Sequence, residues 1–286
     1  MSVADGLRLV PIALLLAGIL AADMARPAEE RNRRAPASAN PSTTEVLVRV
    51  VAHGAMVLGH EVGGARVTIT DVTTGSVLAS GLQTGEAGDQ NQIMRTPRLM
   101  EEPRYSSRPS GSFRATLQLT TPTLVEVAAE GPLAYPASMR RTAKTVLLIP
   151  GHDLTSDGIV LALYGYIVQI EDPPSGQPLI AKADVKLAAS VKTLSGAPVR
   201  PHGDWDSRKV HIYAEVLIGT RLVERLQMFY SGSKGLFEAP FFVPTPAEAP
   251  DGITLRVVAA DKADANIGMG EAKYPILPED RSLRRK

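Results

Sequence analysis

Residues 65–81 read ARVTITDVTTGSVLASG, and this stretch decides the fold class. Val67 and Ile69 fall on one side of a period-two alternation, with Arg66, Thr68 and Thr70 on the other. That period marks a half-buried strand, because successive side chains point to opposite faces. Thr73, Thr74 and Gly75 separate this run from a second β-rich run. Glycine at such a turn reaches positive φ without a side-chain clash. The stretch therefore predicts a β-hairpin.

The same pattern recurs on both sides of it. In EVLVRVVA (45–52), Val46, Val48 and Val50 share a face, and in SFRATLQL (112–119), Phe113, Ala115, Leu117 and Leu119 do. TLVEVAA (123–129), KTVLLIP (144–150), GIVLAL (158–163) and YIVQI (166–170) continue the style. EDPPSGQP (171–178) breaks it, since consecutive prolines donate nothing to a sheet ladder. Strands resume in ADVKLAASV (183–191), KVHIYAEV (209–216), RLQMFY (225–230), EAPFFVP (238–244) and TLRVVAA (254–260). Many short strands with no helical period between them indicate a sandwich or barrel.

Two longer stretches resemble known modules. GITLRVVAADKADANIGMGEAKYPI (252–276) is similar to the closing hairpin of bacterial immunoglobulin-like and fibronectin-like modules. There an apolar strand runs into an Asp and a polar turn with Asn and Gly, places taken here by Asp261, Asn266 and Gly268. GGARVTITDVTTGSVLASGLQTGEAGD (63–89) resembles the opening of transthyretin-like, carboxypeptidase-regulatory-like sandwiches. The resemblance implies architecture alone, because such folds host unrelated functions.

The expected fold is all-β, with two Ig-like/transthyretin-like β-sandwich domains in tandem. The expected layout is a signal peptide over 1–22 and a disordered linker over 23–44. A first β-sandwich follows over 45–172, with a long loop at 84–112. Residues 173–180 form a second linker, 181–278 an Ig-like sandwich, and 279–286 a basic tail.

The first segment carries the address. Arg8 precedes LVPIALLLAGILAA (9–22), which is uncharged and too short for a comfortable span of roughly 20 residues. Ala21, Ala22 and Ala25 provide small residues for cleavage. The alternative is an uncleaved anchor. Export to a periplasm or the cell exterior is the expectation, with no stable membrane span after cleavage.

Composition narrows the chemistry. The 286 residues include no cysteine, which removes disulfides, thiolate metal sites and cysteine nucleophiles. A net charge of +1 makes no case for nucleic acid as a partner. No G-x-S-x-G elbow, P-loop or dinucleotide glycine pattern occurs, and the G-x-G of Gly268 and Gly270 lacks the later glycine. A Ser-His-Asp arrangement assembled in space remains open, so a hydrolase on a β scaffold is an alternative function.

Four features are candidates for a non-catalytic role. The long segment Thr84–Ser112 carries Arg95, Arg98, Arg104 and Tyr105. Arginine forks bind carboxylates and phosphates and stack on aromatics, so this loop is the leading partner-binding candidate, for an envelope protein or an anionic glycan. Its acidic residues equally suit a solvated insertion. His53, Met56 and His60 offer imidazole and thioether ligands suited to copper; otherwise they are two loop histidines and a core methionine. Asp204 and Asp206 flank Trp205, the only tryptophan, while Asp261, Asp264 and Asn266 lie in another loop. Were the two loops to meet, their oxygens would suit calcium; the bland reading is turn residues bonding their own backbone. Leu124, Leu133, Tyr135 and Pro136 offer an apolar patch, either exposed or buried against the second half. No cofactor is expected, with copper the alternative and calcium behind it. The expected function is an exported non-catalytic binding or accessory protein acting through loops, with periplasmic copper handling as an alternative.

Overall fold

A computed structural model describes residues 40–97, 99, 102–105 and 109–279. The apolar run at 9–22, most of the first linker, Arg98 and nearly all of the basic tail lie outside the described residues. No helix among the described residues is long and apolar enough to cross a membrane.

Seven strands build the first sandwich: β1 (Ser42–Ala52), β2 (Ala65–Asp71), β3 (Val77–Gln83), β4 (Phe113–Leu119), β5 (Thr123–Gly131), β6 (Arg140–Leu148) and β7 (Leu154–Leu163). One sheet has the order β4-β1-β7, with β1 antiparallel to β4 and parallel to β7. The other, β3-β2-β5-β6, is antiparallel throughout. Val46, Val48, Val50, Leu117 and Leu161 face Val67, Ile69, Val125 and Val127 across the core. Burying each such side chain contributes roughly 1.5–3 kcal/mol. The β2–β3 hairpin closes as its sequence predicts. Asp71 Oδ1 accepts from Thr73 N and Thr74 N, and Gly75 adopts φ +72°.

β1 begins inside the stretch read as linker. Thr44 is fully buried and its hydroxyl accepts from Gly151 N, so Ser42–Thr44 pair with β4 despite their polar composition. At the end of β3, the buried Gln83 amide bonds to the backbone of the facing sheet and loop. Its Oε1 accepts from Val50 N at 2.6 Å, and its Nε2 donates to Val50 O and Leu58 O.

The described part of the segment at 84–112 forms a tethered strap. Gly111 N donates to Glu86 O and Ser112 N to Thr84 O, closing its base. A short helix, α1 (Gln90–Met94), is capped by Asp89, whose side chain accepts from Gln92 N. Ile93 on that helix is buried with Val51, Met56 and Val57 in a small third cluster.

The second sandwich comprises β8 (Tyr166–Asp172), β9 (Leu179–Ile180), β10 (Asp184–Thr193), β11 (Val210–Ile218), β12 (Arg221–Gln227), β13 (Phe229–Tyr230), β14 (Leu236–Phe242), β15 (Ile253–Asp261), β16 (Ile267–Tyr274) and β17 (Ile276–Leu277). Its sheets are β13-β14-β10-β8 and β12-β11-β15-β16, with a short parallel β9–β17 pair. With β12 taken as C′ and the short β9–β17 pair set aside, β8, β10, β11, β13, β14, β15 and β16 take the letters A to G, and the partition is the immunoglobulin one, A, B, E and D against C, F and G. Leu187, Ala189, Val191, Phe237 and Phe241 meet Ile212, Ala214, Leu255, Val257 and Ala259 in its core.

The break between the halves differs from the expectation. The sequence places YIVQI at the end of the first sandwich, but β8 hydrogen-bonds to β10, and Tyr166 and Val168 lie in the second core. The chain changes sandwich at Tyr164–Gly165, before the paired prolines. Those prolines form a bend inside the second sandwich, where Tyr274 Oη donates to Pro173 O.

Gly268 and Gly270, the G-x-G of the sequence, permit a close approach. A Cβ on Gly268 would collide with Tyr166 O, and one on Gly270 would lie 2.5 Å from Val168 O. Their role is to let β16 lie across the β8 backbone, which no side-chain-bearing residue allows.

The described residues form one compact unit. The two cores touch within it: Ile167 and Leu194, from the second half of the chain, lie in the first core. Lys192 Nζ stands 5.9 Å from the Tyr135 ring centre, so Tyr135 belongs to this contact, whereas Leu124 is 41% exposed on the outer sheet face.

Candidate ligand site between the two sandwiches

Three loops converge where the sandwiches meet. The first joins β10 to β11. Arg200 N donates to Trp205 O and Ser207 N to Arg200 O, drawing residues 200–207 into a tight turn. Asp206 caps the 3-10 turn Ser207–Lys209 by accepting from Arg208 N, and takes the Arg208 guanidinium on both oxygens. Those bonds hold its carboxyl far below the usual Asp range. Trp205 packs against all three apolar clusters, and its indole N–H donates to Gly54 O at 3.1 Å. It is the wedge between the halves.

The second loop joins β15 to β16. Asp261 Oδ1 accepts from Ala263 N and Asp264 N, a local turn of the kind Asp favours. Asp261 Oδ2 accepts from Tyr166 Oη at 3.3 Å, and Asn266 Oδ1 accepts from Gly165 N at 2.9 Å. Burial first, and then the nearby Asp261 charge, push the Tyr166 phenol well above its ordinary pKa. It stays protonated and donates to Asp261.

The third loop follows β1. The His53 ring stacks on Tyr164 with centres 4.0 Å apart and 18° between planes. His53 Nε2 stands 3.7 Å from Asp264 Oδ2 across the junction.

Between these loops lies a cleft of about 440 Å³, within the usual range of small-ligand sites, which favour domain interfaces. Its walls include His53, Tyr166, Trp205, Arg208, Lys209 and Lys262. The two acidic loops of the sequence reading do meet here. Asp204, Asp206, Asp261 and Asp264 all line the cleft, but each already has a partner. Among the described residues, no group of three or more His, Asp or Glu side chains is placed to hold a metal ion.

The leading partner-binding residues have intramolecular contacts. Arg95 forms a two-pronged ion pair with Asp204, and Gln90 donates to the same carboxylate. This holds the Asp204 carboxyl below its ordinary value, Arg95 being the largest cause. The Arg104 guanidinium donates to Ile93 O, while the backbone N–H groups of Arg104 and Tyr105 donate to Asp157. Tyr105 packs on the third cluster. Of the copper candidates, Met56 is buried in that cluster, His53 faces the cleft, and His60 sits beside Gly85 O and Glu86. The structure gives the three different surroundings. Lys209 and Lys262, which sequence reasoning passed over, line the cleft; only their closeness to the Asp-rich turns pointed to them.

No protein-family model matches the chain, and no curated protein matches it either. Among solved structures it is similar to the fibronectin(III)-like modules of Clostridium thermocellum CbhA, with a TM-score of 0.27 and 10% identity over 85% of this chain and 96% of that one. It is also similar to three N-terminal domains of the bacteriophage RB49 Highly Immunogenic Outer Capsid protein, with a TM-score of 0.27 and 12% identity over 83% of this chain and 59% of that one. A third is the ICAM-5 D1-D4 ectodomain fragment, at 0.26 and 11%, over 75% of this chain and 46% of that one. The chain thus spans about half the length of the latter two. The assignment of the fold rests on the sheet partition described above.

Proposed function

We propose that this is an exported, non-catalytic binding protein whose recognition site is the cleft between its two sandwiches. The observation that carries the reading is the convergence of loops from both sandwiches around one cavity of about 440 Å³. Binding residues concentrate on loops held by a rigid scaffold, and ligand sites favour such junctions. The uncharged leucine-rich run at 9–22 supports export. Its carboxylates and the Tyr166 phenol are engaged in holding its own walls, which fits recognition better than turnover. The 84–112 strap then acts as the buttress of one wall, through Arg95 and Gln90 on Asp204.

The test compares the mature chain with an Ala263→Trp variant. Ala263 is exposed and lines the cleft, so the added indole fills the opening without disturbing a core. Both proteins are immobilised and exposed to fractionated envelope saccharides and peptides, and retained compounds are identified by mass spectrometry. A compound held by the native chain and lost from the variant is expected. Equal retention by both would overturn the reading.

A further inference from the structure

The β12-β11-β15-β16 sheet sends Ala214, Val216, Leu255 and Val257 into the second core, and its other face is outward. On that outer face Arg225 lies in register with Glu215, Glu215 with Arg256, and Arg256 with Glu271. Four charges thus run straight across four strands in the order plus, minus, plus, minus. None of them lines the cleft. Each is bonded to the next. Arg225 Nη2 donates to Glu215 Oε1 at 2.7 Å, Arg256 Nη1 to Glu215 Oε2 at 3.4 Å, and Arg256 Nε to Glu271 Oε2 at 2.9 Å. The inner two charges, Glu215 and Arg256, are held from both sides. The outer two, Arg225 and Glu271, each have one charged partner among the described residues. Arg225 is also fixed in place, its guanidinium 4.8 Å from the Tyr213 ring centre.

The next row along the strands is apolar. Tyr213, Val258 and Met269 are in register there, and Ile267 follows one row on. Met269 is 44% and Ile267 53% exposed. A sheet face that meets only water is normally polar, so an apolar row on it marks a contact surface.

We propose that this face joins two copies of the chain in a dimer, about a two-fold axis lying in the plane of contact and parallel to the strands. Such an axis reverses the order of each row. Arg225 then stands opposite the partner subunit's Glu271, and Glu215 opposite the partner subunit's Arg256. Both singly held charges gain a second partner of opposite sign. Val258 stands opposite the partner subunit's Tyr213, so the apolar row is covered by its own copy, as an isologous contact requires. An axis along the charged row itself would set every charge against its own sign. The order of the row therefore selects the direction.

Sedimentation of the protein from micromolar to millimolar concentration tests the assignment. A monomer–dimer equilibrium is expected, weakening as salt rises, because salt screens the exposed end charges. Arg225→Glu sets like charges together at both ends of the row, and so does Glu271→Arg. Each variant alone should associate roughly tenfold more weakly than native, or worse. An equimolar mixture of the two should regain the native strength. In the mixed pair one end carries both reversed charges and the other both native ones, opposite in sign at each end. Mixing cannot rescue a variant that has merely damaged its own sheet. Met269→Arg, at an exposed position, should leave a monomer with the native melting temperature. A native protein that stays monomeric throughout overturns the proposal and leaves the face to another occupant. A dimer that survives Met269→Arg, or a mixture that associates no better than its components, also overturns it.

Discussion

Asp204 receives the guanidinium of Arg95 on both carboxylate oxygens, each 2.8 Å from Nη2, with Nε at 3.1 Å from Oδ1. The two residues are 109 positions apart in the chain and belong to different sandwiches. The strap of the first is thereby fastened to the loop that carries Trp205. Arg95 is 60% exposed, so water screens the pair despite its two-pronged geometry. A double-mutant cycle with Arg95→Ala and Asp204→Ala, read by denaturant unfolding, should give a coupling of roughly 0.2–1 kcal/mol. Cleavage of the 84–112 segment by added protease should quicken in either variant. A coupling near zero with unchanged cleavage would mean that the strap is held by Ile93 and Asp157 alone.

Trp205 joins the cores by packing and by one hydrogen bond to Gly54 O. Trp205→Phe keeps most of the ring and loses the bond, which should cost about 1 kcal/mol. Trp205→Ala removes the wedge and should cost about 3 kcal/mol, the low end for a large aromatic because the ring is only partly buried. Calorimetry of both variants checks the order. Equal effects would place all the stabilisation in the hydrogen bond.

Gln83 makes three hydrogen bonds from a fully buried side chain. Gln83→Leu has similar bulk but leaves those backbone groups short of partners, at roughly 1–3 kcal/mol for each one unsatisfied. The variant should unfold several degrees lower than native. A variant as stable as native would show that water enters to replace the amide.

Acid should weaken the protein through its paired carboxylates. Asp204, Asp206 and Asp71 all lie below the ordinary Asp value of 3.8, held by Arg95, Arg208 and the Thr73 N–H respectively. A depressed native pKa means that the unfolded chain binds more protons in that window, so stability rises with pH there. The contribution is complete above pH 3.8 and is lost as pH falls through the lower native values. Melting temperature measured from pH 5 down to 2 should fall, less steeply in Asp204→Asn/Asp206→Asn. Identical slopes would remove these two groups from the acid response.

Alternation made the strands legible: the inward Val67 and Ile69, and Val210, Ile212, Ala214 and Val216, are buried as their spacing predicts. The sandwich boundary was not legible. YIVQI reads the same whichever core it faces, and the paired prolines looked like the stronger break. The G-x-G of β16 signalled close approach but not to what, because Tyr166 and Val168 lie about a hundred residues upstream. The cleft was half legible. The Asp-rich turns around Trp205 and Asp261 stood out by composition, yet only the fold brings them together. Arg95 looked free for a partner because its carboxylate is remote in sequence.

Ligand entry into the proposed cleft between the sandwiches is tested most directly by backbone amide NMR of the protein, recorded with and without a retained compound. Shifts confined to residues 53–54, 164–166, 204–210 and 261–266 are expected. Shifts centred on Arg104 and Tyr105, or on a sheet face away from these loops, would contradict it.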